Sequence, residues 1–155
     1  MSDYIEDMVI HMHGGGFIVL SSNGTQIYTR EWANITKVPV FSIDYRLAPK
    51  YPFPEALYDC LRVYEFLVNK IHKFFRIRPK NIFVGGDSAG GNLSCGLTLL
   101  LLKKNLPLPK GLLLVYPNLD TRRNFYGSRN KILFEPLLWP SMIKLVMKSY
   151  LPNEK

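Results

Sequence analysis

Ile82-Phe83-Val84-Gly85-Gly86-Asp87-Ser88-Ala89-Gly90-Gly91 is the stretch that decides how this chain folds. A short apolar run is cut by two glycines, and a serine is followed by a long apolar segment, Ala89 to Lys104, with helical character. The reading is a buried strand that turns abruptly into a helix, with Ser88 at the turn. Glycines at positions 86 and 90 suit that geometry, because a side chain at either would collide where strand and helix backbones approach closely. The helix N-terminus beneath Ser88 favours negative charge developing at its oxygen. The spacing Gly86-x-Ser88-x-Gly90 therefore reads as a nucleophile elbow, in which the serine is strained and exposed.

Working outward, apolar runs alternate with amphipathic stretches, the pattern of a parallel sheet covered by helices. Strands are expected at Met8–Met12, Pro39–Ile43, Asn81–Gly85 and Gly111–Tyr116. Helices are expected at Thr25–Thr36, from Pro54 through Ile71, at Ala89–Lys104 and from Pro140 to Leu151. In the second of these, Leu57, Leu61, Tyr64, Leu67 or Val68, and Ile71 share one face at helical spacing. Pro49 and Pro52 keep the segment from Asp44 to Phe53 irregular, and Pro79 is read as a break before the third strand. The stretch from Arg122 to Glu135 is read as loop. No repeat, low-complexity tract or linker divides the chain.

His13-Gly14-Gly15-Gly16-Phe17 follows the first strand. Three consecutive glycines let a backbone turn its amides inward, as an oxyanion hole requires when a carbonyl oxygen becomes charged. Gly15, Gly16 and Ala89 are the expected donors. His13 is read as bracing the loop by hydrogen bonding, with Gly14 its partner in the motif. His11 and His13, two apart on a strand, invite a metal reading, but no third ligand has suitable spacing, so no metal is expected. All three histidines, His11, His13 and His72, precede Ser88, and none follows it. Asp120 is read as a residue of a loop or strand end.

Composition sets the outer limits. The chain has 155 residues, 47% hydrophobic and 21% charged, which excludes disorder and fits one globular domain. Its longest strongly apolar run, Leu97 to Leu102, interrupted only by Thr98, falls short of the roughly 20 residues a membrane span needs. Cys60 and Cys95 sit in apolar helical patterns and are expected as buried free thiols. An acidic start, with no charged-then-apolar leader, gives the expectation of a cytoplasmic protein if Met1 is the true start; lipid-droplet or membrane-surface association is the accompanying expectation. The net charge of +8 gathers in two stretches: Lys70, Lys73, Arg76, Arg78 and Lys80, then Arg122, Arg123, Arg129 and Lys131. Either they form an ordinary solvated surface, or they attract an anionic lipid surface. Nothing resembles a recognition helix, a zinc site or an aromatic RNA-binding strand, so nucleic acid is not an expected partner.

Four motifs in order resemble the hormone-sensitive lipase family of α/β-hydrolases: His13-Gly14-Gly15-Gly16, Asp44-Tyr45-Arg46-Leu47-Ala48-Pro49, Tyr51-Pro52-Phe53-Pro54 and Gly86-Asp87-Ser88-Ala89-Gly90-Gly91. The resemblance extends from about Met8 to Leu151 and includes Phe134-Glu135-Pro136-Leu137-Leu138. It implies an α/β-hydrolase core with strand order second, first, third, fourth, and a carboxylic ester hydrolase working through an acyl-enzyme on Ser88. Gly15, Gly16 and Ala89 are implied as oxyanion donors, acyl esters or acylglycerols as substrates, and no cofactor. Asp44, Arg46 and the nearby prolines are implied as scaffold for the loop facing the site, while Lys50 stands where the family usually has an acid.

The resemblance also implies that residues 1–155 form a partial domain, since the family places two strands and a lid segment before the glycine loop. It places the triad acid and histidine later, in the order Ser, Asp, His. Without a histidine after Ser88, esterase activity of this chain alone is expected to be very weak. The alternative is a non-catalytic binding protein that keeps the cleft.

Overall fold

The computed structural model describes residues 4–120 and 138–151, and within them four parallel strands make one sheet. In chain order the elements are β1 (Ile5–Met12), α1 (Ser22–Thr36), β2 (Val40–Ile43), α2 (Glu55–Lys70), β3 (Ile77–Asp87), α3 (Ala89–Lys103), β4 (Gly111–Val115) and α4 (Pro140–Tyr150). A single 3₁₀ turn, Ile71–Lys73, follows α2. The sheet order is β2-β1-β3-β4, the order the family resemblance implies. Register aligns Met12 with both Ile43 and Gly86, and Asp87 with Val115. The carboxyl ends of the strands therefore share one rim, where sites form in open α/β sheets.

β1 is paired on both sides, so Met8, Ile10 and Met12 are fully buried. Alternation along β1 sends successive side chains to opposite faces. The Met12 sulfur lies 3.5 Å from Ser94 Oγ of α3, whereas His11 lies edge-on to Tyr28 and Trp32 of α1. Helices thus cover both faces. On the α3 side, α2 joins the core through Ala56, Cys60, Leu61, Tyr64 and Leu67.

Three boundaries differ from the sequence expectation by three residues or more, each through a distant contact. β3 begins at Ile77, so Pro79 lies inside the strand and does not break it. Ile5 pairs with Ile77 and Asp7 with Asn81, which sets two steps of β1 against four of β3. That bulge takes up Pro79, whose missing N–H forfeits no regular ladder bond there. Opposite it β1 starts at Ile5, earlier than expected, held by Lys80 on Glu6 at 2.6 Å and Asn81 Nδ2 donating to Asp7 at 2.6 Å. α1 starts at Ser22, because Asp44 accepts the Ser22 N–H (2.6 Å) and O–H (2.7 Å) from the end of β2. Burial alone would raise the Asp44 carboxyl; the Ser22 donors hold it below its ordinary value.

In the segment after β2, Arg46 grips Asp59 at 2.7 and 2.8 Å and Glu55 at 2.6 Å, tying that segment to α2. Lys50 lies beside the Tyr51 ring, 5.3 Å from its centroid. Cys60 is a buried free thiol that burial pushes up to about 12. Cys95 is also free but only half-buried, a departure from the expected full burial. The second basic stretch, Arg122 to Lys131, the expected loop from 122 to 135 and the motif residues 134–137 lie outside the described residues. No described helix is long and apolar enough to cross a membrane.

Candidate active site

β3 ends at Asp87 and α3 begins at Ala89, so one residue makes the turn. Ser88 adopts φ 52°, ψ −113°, a conformation that costs a non-glycine residue energy and persists only where the surroundings enforce it. Those surroundings are specific. The Ser88 N–H donates to the Val115 carbonyl at 3.0 Å, and the Ser88 carbonyl accepts from Asn92 and Asn118 at 3.2 Å each. Beneath the turn, a side chain at Gly86 or Gly90 would strike the Met12 carbonyl oxygen, and one at Gly90 would also lie 2.7 Å from that of His13. The elbow is seated directly on the end of β1, where the glycine loop starts.

That loop carries Gly15 at φ 101° and Gly16 at φ 60°, followed by Phe17 at φ 64°. The Gly15 carbonyl accepts from Ile18 and Val19 at 3.1 Å, closing a tight turn. The Gly14 N–H donates to Asp87 Oδ1 at 3.1 Å, which latches the loop to the residue before Ser88. The amides of Gly15 and Gly16 donate no hydrogen bond among the described residues. As the first residue of α3, Ala89 has no helical acceptor for its amide either. The structure thus gathers Ser88, Gly14, Gly15, Gly16, Gly86, Asp87, Ala89 and Gly90 at one rim.

His13 Nδ1 lies 2.7 Å from the Gly14 carbonyl, and its ring stacks on Tyr45 at 4.3 Å. The Tyr45 hydroxyl in turn donates to the His13 carbonyl at 2.7 Å. From the other side α4 supports the loop: Phe17 stacks on Tyr150 at 3.7 Å, and Val146 packs under Gly16. Phe17 is 1% exposed, so the loop's aromatic residue is a core anchor.

The sequence reading missed the role of His11, which it weighed only beside His13 as a metal ligand. His11 is fully buried, with Nδ1 2.9 Å from Ser42 Oγ and Nε2 3.3 Å from the Tyr28 hydroxyl. Tyr28 donates to Asp87 Oδ1 at 3.1 Å. With the tyrosine proton committed to Asp87, its oxygen accepts from His11 Nε2–H, and His11 Nδ1 accepts from Ser42. The relay Ser42–His11–Tyr28–Asp87 ends on the same carboxylate that holds Gly14. Burial drives the His11 pKa down to about 4; Asp87 opposes this and His13 adds to it. Burial and then Asp87 push the Tyr28 hydroxyl well above its ordinary range. The available signal was Tyr28 and Trp32, one helical turn apart on the face of α1 that meets His11.

The contacts of His11 and His13 do not include Ser88, and exposed His72 sits at the opposite end of β3. Asp120 lies in irregular backbone beyond β4. Among the described residues no group of three or more His, Cys, Asp or Glu is arranged to hold a metal.

Comparison with known proteins agrees with this geometry. The sequence profile of the alpha/beta hydrolase fold matches residues 9–155. Mouse hormone-sensitive lipase is 36% identical over 147 residues, covering 95% of this chain and 19% of the lipase. An esterase from Acinetobacter venetianus is 33% identical, over 95% of this chain and 47% of the esterase. The crystal structure of carboxyl esterase 2 from the fungus Tuber melanosporum superposes with a TM-score of 0.89 at 27% identity, covering 96% of this chain and 48% of that one. The chain spans less than half the length of each of these relatives.

Proposed function

The chain belongs to the α/β-hydrolase family, resembling hormone-sensitive lipase within it, and from that premise we propose that it carries the acylation centre of a carboxylic ester hydrolase. In this reading Ser88 Oγ attacks the ester carbonyl carbon. The amides of Gly15, Gly16 and Ala89 receive the charge that develops on the carbonyl oxygen. Collapse of the tetrahedral intermediate expels the alcohol and leaves an acyl-serine, which water then hydrolyses. The substrates are acyl esters, acylglycerols among them, and the chemistry calls on no cofactor. The observation that carries the reading is the latch between Gly14 and Asp87, which holds the glycine loop against the strained Ser88 turn.

The serine proton needs an acceptor, and the contacts of His11 and His13 lie elsewhere. In a serine hydrolase with a complete triad, removing the histidine lowers turnover by about 10⁶-fold. The chain alone should therefore hydrolyse a nitrophenyl ester only slowly. Added imidazole supplies a diffusible base, so it should accelerate the wild-type chain beyond the background that the same imidazole gives with Ser88→Ala. Equal imidazole-dependent rates for the two proteins would refute the assignment of Ser88.

A further inference from the structure

We propose that the turn from His72 to Arg76, at the opposite end of β3 from Ser88, is a membrane anchor that inserts Phe74 and Phe75 into an anionic lipid surface. Five consecutive residues, His72 to Arg76, are exposed between the buried residues Ile71 and Ile77. The turn is nevertheless well built: the N–H groups of Phe74 and Phe75 both donate to the Ile71 carbonyl at 3.0 Å. It therefore presents its aromatic rings by design of the backbone. Phe74 is 65% exposed and Phe75 57%, and Phe66 on α2 extends the patch, with its ring 5.6 Å from that of Phe74.

Charge selects the partner. From Phe66 to Lys80 the sequence has Lys70, Lys73, Arg76, Arg78 and Lys80 and no acidic residue. Lys80 is paired with Glu6, and the Arg78 guanidinium stacks on the Tyr4 ring at 4.1 Å. Lys70, Lys73 and Arg76 form no ion pair among the described residues. Two adjacent phenylalanines offer apolar area with no side-chain hydrogen-bonding group. Framed by cations, they match the boundary between acyl chains and anionic headgroups. β3 has 11 residues and is shortened by its bulge, so at about 3.3 Å per extended residue the anchor lies roughly 30 Å from Ser88. Docking there holds the protein at a lipid surface and leaves the rim open, whether or not Ser88 is a nucleophile.

The test is co-sedimentation of the chain with phosphatidylcholine vesicles, with and without phosphatidylserine. Binding should require phosphatidylserine. Phe74→Ala/Phe75→Ala should weaken it by ~10-fold or more. Lys70→Glu/Lys73→Glu should weaken it by at least ~25-fold, at roughly fivefold per cation. Lys144→Glu/Lys148→Glu makes the same charge change on α4 and should leave binding intact. Phe75→Ala alone, removing an exposed ring that stacks on no other ring among the described residues, guards against a fold effect and should weaken binding in the same direction. Binding indifferent to phosphatidylserine, or to loss of both rings, would overturn the proposal. So would sedimentation velocity showing that the rings hold two copies of the chain together. The vesicle result is independent of Ser88→Ala kinetics, so either reading can fail without the other.

Discussion

The two ends of β3 are built on opposite terms. At its carboxyl end, Gly86, Asp87 and Ser88 are locked between the Met12 carbonyl, the Gly14 amide and the Val115 carbonyl. No described buried side-chain nitrogen or oxygen there or elsewhere lacks a hydrogen-bond partner. At its amino end the ladder bulges around Pro79 and the chain runs into five exposed residues with two bare rings. Same strand, two regimes: at one end backbone conformation is over-determined, as chemistry at a fixed atom demands; at the other, only the stem is fixed and the side chains are offered to a surface.

Substitutions at the two ends should differ most where backbone meets backbone. Gly90→Ala drives a methyl group into two carbonyl oxygens that cannot move without shifting β1. It should cost more than ~4 kcal/mol or prevent folding, read as a thermal or urea midpoint. A midpoint within a few degrees of wild type would show that the elbow is looser than described. Gly15→Ala comes next: its φ of 101° and the Val19 carbonyl oppose a side chain. Measured with imidazole present, turnover should fall by ~10²–10³-fold with little change in KM if Gly15 is an oxyanion donor as proposed, since charge then reaches it only during attack. A change confined to KM would move Gly15 from the oxyanion hole to substrate binding.

The relay beneath the elbow adds a pH signature. His11 titrates at about 4 in the fold, against an ordinary value of 6.5. Between those values the unfolded chain binds more protons, so stability present above pH 6.5 is lost as the pH falls towards 4, by up to ~3 kcal/mol. Asp44 and Asp59, both lowered in the fold, act in the same direction at lower pH. Urea midpoints across this range should show the decline in wild type and a shallower one in His11→Gln; parallel curves would remove His11 from the account. The smallest effect belongs to the far end, where Phe75→Ala should alter stability by less than ~0.5 kcal/mol.

What could be read in the sequence was what short spacing encodes. Gly86-x-Ser88-x-Gly90 and His13-Gly14-Gly15-Gly16 name the elbow and the loop because tight turns are dictated by local sterics. The strand order came from the family resemblance and agrees with the sheet. The relay was hidden because its members lie far apart: Tyr28 and Asp87 are 59 residues distant, Gly14 and Asp87 73. Pro79 misled for a related reason. A proline breaks a strand unless the strand itself bulges there, and β3 does so opposite Ile5 and Asp7 of β1. Asp44 as the cap of α1, and Tyr150 as the ring under Phe17, belong to the same class of contact.

The central claim is that Ser88 is the residue that takes the acyl group. Incubating the chain with a nitrophenyl ester and imidazole, quenching in acid and mapping peptides by mass spectrometry tests it most directly. The account predicts one acyl adduct on the peptide carrying Ser88, absent in Ser88→Ala and diminished in Gly15→Ala. An adduct that persists in Ser88→Ala, or that sits on a lysine or on Cys95 while Ser88 stays unmodified, would contradict it.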